Sequence, residues 1–240
     1  MKRFQYSLLT LACLNAHLAL ANESQVNSDI ERISVYEQQN RVVMSSGLAT
    51  KSDMSLMETP APVVIVDKAL IESQGIDSLQ DVIRNVSGLT QAGNNYGIGD
   101  NLVIRGLGSN YTYDGMYGGA GLGNTFNPTR SMTNVESVEV LKGPATGLYG
   151  MGSAGGVINL IEKKPQFTEK HTVNAELGQW DSYSLGFDST AALTDNLAYR
   201  VNAKTARSDG YRDLKDDRDE IYGALKYVLS DKQDIMISAA

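Results

Sequence analysis

Thiols and imidazoles are nearly missing from this chain of 240 residues: it has one cysteine, Cys13, and two histidines, His17 and His171. Cys13 and His17 lie in an opening segment that reads as a secretory signal. It begins Met1-Lys2-Arg3, continues as an apolar run from Phe4 to Leu20, and ends in the A-x-A cleavage pattern Ala19-Leu20-Ala21. A lipoprotein cut before Cys13 is the weaker alternative, because Thr10-Leu11-Ala12 is a poor lipobox and the apolar core before it is short. A mature chain from Asn22 keeps no thiol and only His171, which excludes disulfides, a cysteine nucleophile and a zinc or copper site built on Cys and His. A Ser-His-Asp arrangement would depend on His171, and that residue sits in an alternating, strand-like pattern. No catalytic residue and no metal ligand is therefore assigned. After the signal there is also no apolar run of 18 residues, so no transmembrane helix is expected. An exported chain can still cross a membrane as a closed barrel.

Positive charge is scarce as well. Residues 1–21 hold two basic and no acidic residues, leaving 19 Lys+Arg against 28 Asp+Glu and a net charge of −9. Nucleic acid is excluded as a partner by that balance.

What the chain has is glycine. In "KGPATGLYGMGSAGGVINLIEKKP" (142–165), Gly150, Gly152 and Gly155 fall at the G-x-G-x-x-G spacing of a dinucleotide-binding turn. That motif needs a helix after it to hold the pyrophosphate. Here Val157-Ile158-Asn159-Leu160-Ile161 follows, short and β-branched, and Val138 to Leu141 precedes. The glycines therefore belong to a turn between two strands, and Gly143, Gly150, Gly152, Gly155 and Gly156 read as structural, supplying permissive backbone.

Residues 22–55 are polar without a sustained period and read as an extended arm. From Pro60 to Pro165 an α+β domain is expected. It has a strand at Val63–Val66, a short helix capped by Asp67 and stopped at Gly75, and a second helix. The second starts from a capping-box-like Asp77/Gln80 pair, carries Leu79, Val82, Ile83 and Val86 on one face, and ends near Gly88. Next come a glycine- and asparagine-rich stretch (92–101), a strand at Leu102–Arg105, and a long loop (106–130) of the kind that is usually functional. Beyond Pro165 the period changes to two. Val173, Ala175 and Leu177 alternate with Thr172, Asn174 and Glu176, and similar patterns recur around Tyr183–Leu193, Leu197–Ala203, Ile221–Leu229 and Ile235–Ile237. Their length, one apolar and one charged face, the tight turns at 194–196 and 230–233, and the long charged connection at 207–220 suit outer-membrane barrel strands. Trp180, Tyr183 and Tyr211 are placed for an aromatic girdle. A soluble sheet with one wet face shares the alternation. The acidic cluster Asp213, Asp216, Asp217, Asp219, Glu220 misses calcium-loop spacing and is diluted by Arg212, Lys215 and Arg218.

Five segments in order, "METPAPVVIVDKALIESQGIDSLQDVIRNVSGL" (57–89), "NLVIRGLG" (101–108), "YDGM" (113–116), "VESVEVLKGPATGLYGMGSAGGVINLIEKKP" (135–165) and "AYRVNAKTARSDGYRD" (198–213), resemble the TonB-dependent outer-membrane receptors, ferric-siderophore receptor type. The resemblance implies a signal peptide (1–21), a periplasmic arm with a TonB box (22–55), an α+β plug domain (56–165) and the first antiparallel strands of a transmembrane β-barrel (166–240). The complete barrel of such a receptor has 22 strands, so the chain is expected to be an N-terminal fragment. The implied TonB box is Glu31, Arg32, Ile33, Ser34, Val35, Tyr36, whose Ile33/Val35 alternation suits strand addition to a partner's sheet edge. Arg105 and Lys142 are implied to lock the plug to glutamates of the barrel wall, Lys142 standing where the family usually has arginine. Tyr96, Tyr111, Tyr113, Tyr117 and Phe126 are ligand-binding candidates by composition. The implied function is energy-coupled import. The implied partners are TonB with its inner-membrane energising complex, a ferric siderophore and outer-membrane lipid. No cofactor is expected, iron being carried within the ligand. Import of cobalamin or another scarce ligand by the same architecture, or a soluble periplasmic binding protein, are the alternative readings.

Overall fold

The computed structural model describes residues 51, 58–93, 99–117, 130–149, 154–210, 215–230 and 232–239, all within one compact unit. The first part runs β1 (Val63–Val66), α1 (Lys68–Ser73), a 3-10 helix (Leu79–Asn85), β2 (Leu89–Gly93), β3 (Asn101–Ile104), β4 (Leu107–Tyr113), β5 (Met116–Tyr117), β6 (Val135–Lys142), α2 (Thr146–Tyr149) and β7 (Gly156–Glu162). Its sheet has the order β1-β6-β7-β4-β3-β2, with β5 paired to β4. The β4/β7 pair is parallel and the rest are antiparallel. Val66, Leu79, Val82, Ile104, Tyr111, Val138, Val140, Ile158 and Leu160 belong to one buried cluster that joins the sheet to the 3-10 helix.

Local chemistry fixes the edges of these elements. Asp67 accepts the Leu70 N–H at 2.8 Å and starts α1. The helix expected to open on Asp77/Gln80 opens one residue later. The Asp81 carboxylate accepts from the Ser78 N–H (3.1 Å) and hydroxyl (2.9 Å), and the segment is wound as 3-10 rather than α. Asp77 is thereby released from capping. Part of the long loop expected at 106–130 is strand. Arg105-Gly106 (φ 55° and 77°) and Asp114-Gly115 (φ 47° and 78°) are two-residue hairpin turns at the two ends of β4. At the start of β7 the chain threads between β4 and β6. A Cβ on Gly155 would overlap the Leu107 carbonyl oxygen, and one on Gly156 (φ 134°) the Leu141 carbonyl oxygen. Gly150 and Gly152 lie outside the described residues.

The second part is a five-stranded antiparallel sheet, β8 (Lys170–Leu177), β9 (Tyr183–Thr194), β10 (Leu197–Arg207), β11 (Arg218–Ser230) and β12 (Gln233–Ala239), in sequence order. Its register sorts the side chains by face. Val173, Phe187, Ala203 and Ile221 are cross-strand neighbours on one face, as are Tyr199, Leu225 and Ile237. The opposite face carries Thr172, Asp188, Asn202 and Tyr222, and next to them Thr190, Arg200, Ala224 and Ser238. The apolar face is the outer one, with Val173 67 % and Ile221 68 % exposed, while Thr190, Arg200 and Asn202 are buried against the first part. A sheet that hides its polar face and presents its aliphatic face is suited to lipid. Among the described residues no helix is long and apolar enough to cross a membrane.

Candidate functional site at the plug and wall interface

Two sets of polar side chains join the sheets. The inner set surrounds Asp188 of β9. Its carboxylate accepts from Arg200 through Nε (3.0 Å) and Nη2 (2.7 Å), a bidentate fork, and lies 3.4 Å from Lys163 Nζ. Arg200, only 4 % exposed, also donates to the Lys164 carbonyl at 3.1 Å, and Lys163 donates to the Thr133 carbonyl at 2.8 Å. Burial pushes the Lys163 ammonium below its usual value, and the Asp188 charge opposes that shift. The chain leaving the first sheet is thus pinned to the second just after β7.

The outer set surrounds Asp77. Freed from capping, its carboxylate pairs with Lys204 of β10 and lies 3.2 Å from Arg218 at the start of β11. Nearby, Ser131 and Thr133 hydroxyls donate to Glu220 at 2.6 and 2.5 Å. The two plug segments involved are themselves stitched together. Leu79 N–H donates to the Arg130 carbonyl (3.0 Å) and Met132 N–H to the Asp77 carbonyl (3.2 Å), and Ser78 bridges Ser131.

Behind this ledge lies a buried ion pair. Asp100 is fully buried and accepts the Arg130 N–H at 2.7 Å, with Arg130 Nη1 3.5 Å from the same oxygen. The guanidinium stacks 4.0 Å from the Tyr111 ring centroid, and its Nε donates to the Tyr113 hydroxyl at 3.0 Å. Burial raises the Asp100 carboxyl above its usual value, opposed by the Arg130 N–H and charge. Asp100 and Arg130 are the first described residues after 94–98 and 118–129 respectively, apart from Gly99, so the pair fastens together the roots of both segments.

The residues singled out from sequence are spread over several settings. Tyr111 is a correction: it is a core residue, 1 % exposed, its hydroxyl donating to the Asp100 carbonyl (3.1 Å) and accepting from Leu102 N–H (3.0 Å), so neither ring nor hydroxyl faces a ligand. Tyr113 is half-buried against Arg130. Tyr117 closes the β5 strand opposite Thr112. Tyr96, Phe126 and the hexamer Glu31–Tyr36 lie outside the described residues. Lys142 is buried and donates to the Ser87 carbonyl (2.7 Å) and hydroxyl (3.1 Å), within the plug. Burial, and then the Arg105 charge, lower its ammonium below the usual value. Arg105 is exposed on its hairpin turn. No ion pair joins either cation to a described carboxylate. The polar residues that do cross between the sheets, Asp77, Ser131, Thr133, Asn134 and Lys163, have no local sequence signature, because their partners lie far along the chain.

His171 belongs to a chain of hydrogen bonds, Glu169 to His171 (2.9 Å), His171 to Ser189 (2.8 Å) and Ser189 to Tyr199 (2.9 Å). Ser189 is 4 % exposed and held from both sides, so its oxygen has no approach for a substrate carbonyl. Among the described residues no group of three His, Cys, Asp or Glu side chains is placed to hold a metal ion.

Residues 55–157 match the family described as TonB-dependent Receptor Plug Domain. The chain carries the plug domain of the TonB-dependent receptors. It is 32 % identical over 196 residues to the ferripyoverdine receptor of Pseudomonas aeruginosa, a match covering 76 % of this chain and 23 % of that protein. It is 43 % identical over 84 residues to the metal-pseudopaline receptor of the same organism, covering 34 % and 12 %. The crystal structure of the P. aeruginosa ferripyoverdine receptor bound to ferripyoverdine superposes with a TM-score of 0.73 at 29 % identity, over 80 % of this chain and 26 % of that one. The chain therefore spans about a quarter of the length of the ferripyoverdine receptor. Its first sheet is the plug and its second the opening antiparallel strands of the barrel wall.

Proposed function

We propose that the protein acts in the outer membrane as a receptor for TonB-dependent uptake of a ferric siderophore. The observation that carries this reading is the placement of the plug's loop roots. Arg130, the first described residue after 117, precedes Ser131, whose hydroxyl donates to Glu220 near the start of β11. The described residues that follow 118–129 and those that open β11 are thus joined, and a bulky chelate held there would touch plug and wall together. The names of the relatives, which are receptors of metal chelates, support the same substrate class. Tight binding of a scarce chelate makes its release costly. Work supplied through the arm, with Glu31 to Tyr36 as the TonB box, would shift the plug and free the ligand.

The test is iron-limited growth of a strain carrying the full-length receptor as its only such importer, supplied with a panel of ferric siderophores. Growth on at least one chelate is expected, and it should vanish when TonB is deleted. Growth independent of TonB, or on no ferric chelate, would overturn the reading. The 43 % match to a metal-pseudopaline receptor gives a second reading, a chelate of another metal, so the panel includes zinc, nickel and cobalt complexes. Val35→Pro should stop uptake with chelate binding intact, because proline removes a strand donor. Val35→Ala should transport nearly normally.

A further inference from the structure

The family resemblance implies a lock of plug cations on wall glutamates. The ion pairs of the outer set run the other way, with a plug acid on wall cations. We propose that Asp77, Ser131 and Thr133 of the plug, with Lys204, Arg218 and Glu220 of the wall, form a latch. It holds the outer edge of the plug against β10 and β11 and has to part before the plug can move past those strands.

Five observations carry this. Asp77 has no capping duty, because Ser78 and Asp81 open the 3-10 helix without it. Its two carboxylate oxygens divide between Lys204 and Arg218, which belong to different strands. Lys204 and Glu220 are cross-strand neighbours on the inward face, so cation and anion are presented side by side to the plug. The plug answers each with its complement, a carboxylate for Lys204 and two hydroxyl donors for Glu220. Finally, the latch is only partly covered, Asp77 being 41 % exposed, whereas the Arg200 of the inner set is 4 % exposed. Screened pairs in water are weak and exchange partners readily. The inner set therefore behaves as a fixed anchor at the plug's exit, and the outer set as a catch that water can open. Because the ledge also carries Arg130, displacement of the 118–129 root is felt at the latch directly.

This inference rests on the proposed transport function for its consequence, but not for its first test. Hydrogen exchange in the full-length receptor reads the latch without any chelate. In Asp77→Lys, and separately in Lys204→Glu, the amides of Leu79 and Met132 should exchange several-fold faster, while those of β6 and β7 keep their protection. The double reversal Asp77→Lys with Lys204→Glu should slow both amides again relative to either single variant, short of the wild-type rate because Arg218 and Glu220 keep their charges. Equal protection in all four proteins, or a double variant as fast as the singles, overturns the latch. The second test places two thiols in a full-length receptor that has no other accessible cysteine. Asp77→Cys and Lys204→Cys are joined by a short reducible bis-maleimide on whole cells. Chelate binding should persist, uptake should be lost, and reduction should restore it. Wild-type uptake through the bridged receptor overturns the requirement that the latch open. A receptor whose exchange behaves as expected but which imports no chelate before bridging overturns the proposed function instead.

Discussion

The two sheets are built from the same side chains and are buried in opposite senses. In the plug, Ile158 and Leu160 are fully buried beside a shell of valines. In the wall, Leu225, Ile221 and Ile237 face outward, and the interior receives Asp188, Arg200 and Asn202. The hydrophobic effect orders both. In the first, water is what the aliphatic groups escape, and in the second a hydrocarbon solvent is what they meet. Alternation along a strand therefore says that a sheet has two environments, and only the charged face says which of them is inside.

Four changes would sharpen or break that contrast. The largest effect is expected where the sheets meet. Arg200→Ala leaves Asp188 and Lys163 without the bidentate fork and should loosen the plug's exit by about 3–5 kcal/mol. Loss of protease resistance at 163–166 in the full-length receptor would show it, and unchanged resistance would contradict a buried anchor. Next, Ile158→Ala removes core volume and should cost the plug about 2–5 kcal/mol in denaturant unfolding. A cost below about 1 kcal/mol would mean that the plug core is not close-packed. Third, Leu225→Arg on the outward face should cost about 2–4 kcal/mol when the receptor is assembled in a bilayer. A neutral result would identify that face as wet, and the wall would then be an ordinary soluble sheet.

The smallest effect is a pH dependence. The folded-state pKa of Asp100 lies above 3.8, its unfolded value, so the folded plug binds this proton more tightly than the unfolded chain. Its contribution is fully present below 3.8 and is lost as pH rises through the folded value. The stability of the wild type relative to Asp100→Asn should therefore rise as the solution is acidified from neutral pH into that window, read as a difference in melting temperature. A difference that falls on acidification would mean that Arg130 dominates burial at this carboxyl.

What could be read from the sequence follows from how far each signal reaches. The Asp67 cap, the Val63–Val66 strand and the period-two texture of 170–239 are decided by neighbours, and they are legible. β4 is obscured because the glycines and asparagine in and around it suggest a loop, yet Gly106 and Gly115 serve the hairpin turns at its ends and Gly108 and Asn110 lie within the strand. Tyr111 looked like a loop aromatic for the same reason. The sequence places the start of the second helix one residue early because either Asp77 or Ser78 can open a helix. The choice falls to Ser78 when Lys204 and Arg218 claim the aspartate, and no local pattern shows that. The family motifs supplied the plug and the wall together, whereas the contacts that bind one to the other are particular to these side chains.

The pairing of β1 with β6 has a consequence for how the molecule is made. Val63 lies opposite Leu141, and Ser109 runs parallel to Gly156, so although β2 to β5 can pair locally, the plug sheet is joined into one only when the chain has been supplied through β7. Contacts of that sequence separation fold slowly, since loop entropy is lost before any pairing is gained. Three of the four wall connections, by contrast, are turns of five residues or fewer. A chain emerging from its N-terminus would hold only local hairpins through its first half and complete the plug sheet late, leaving it dependent on protection from aggregation until β7 arrives.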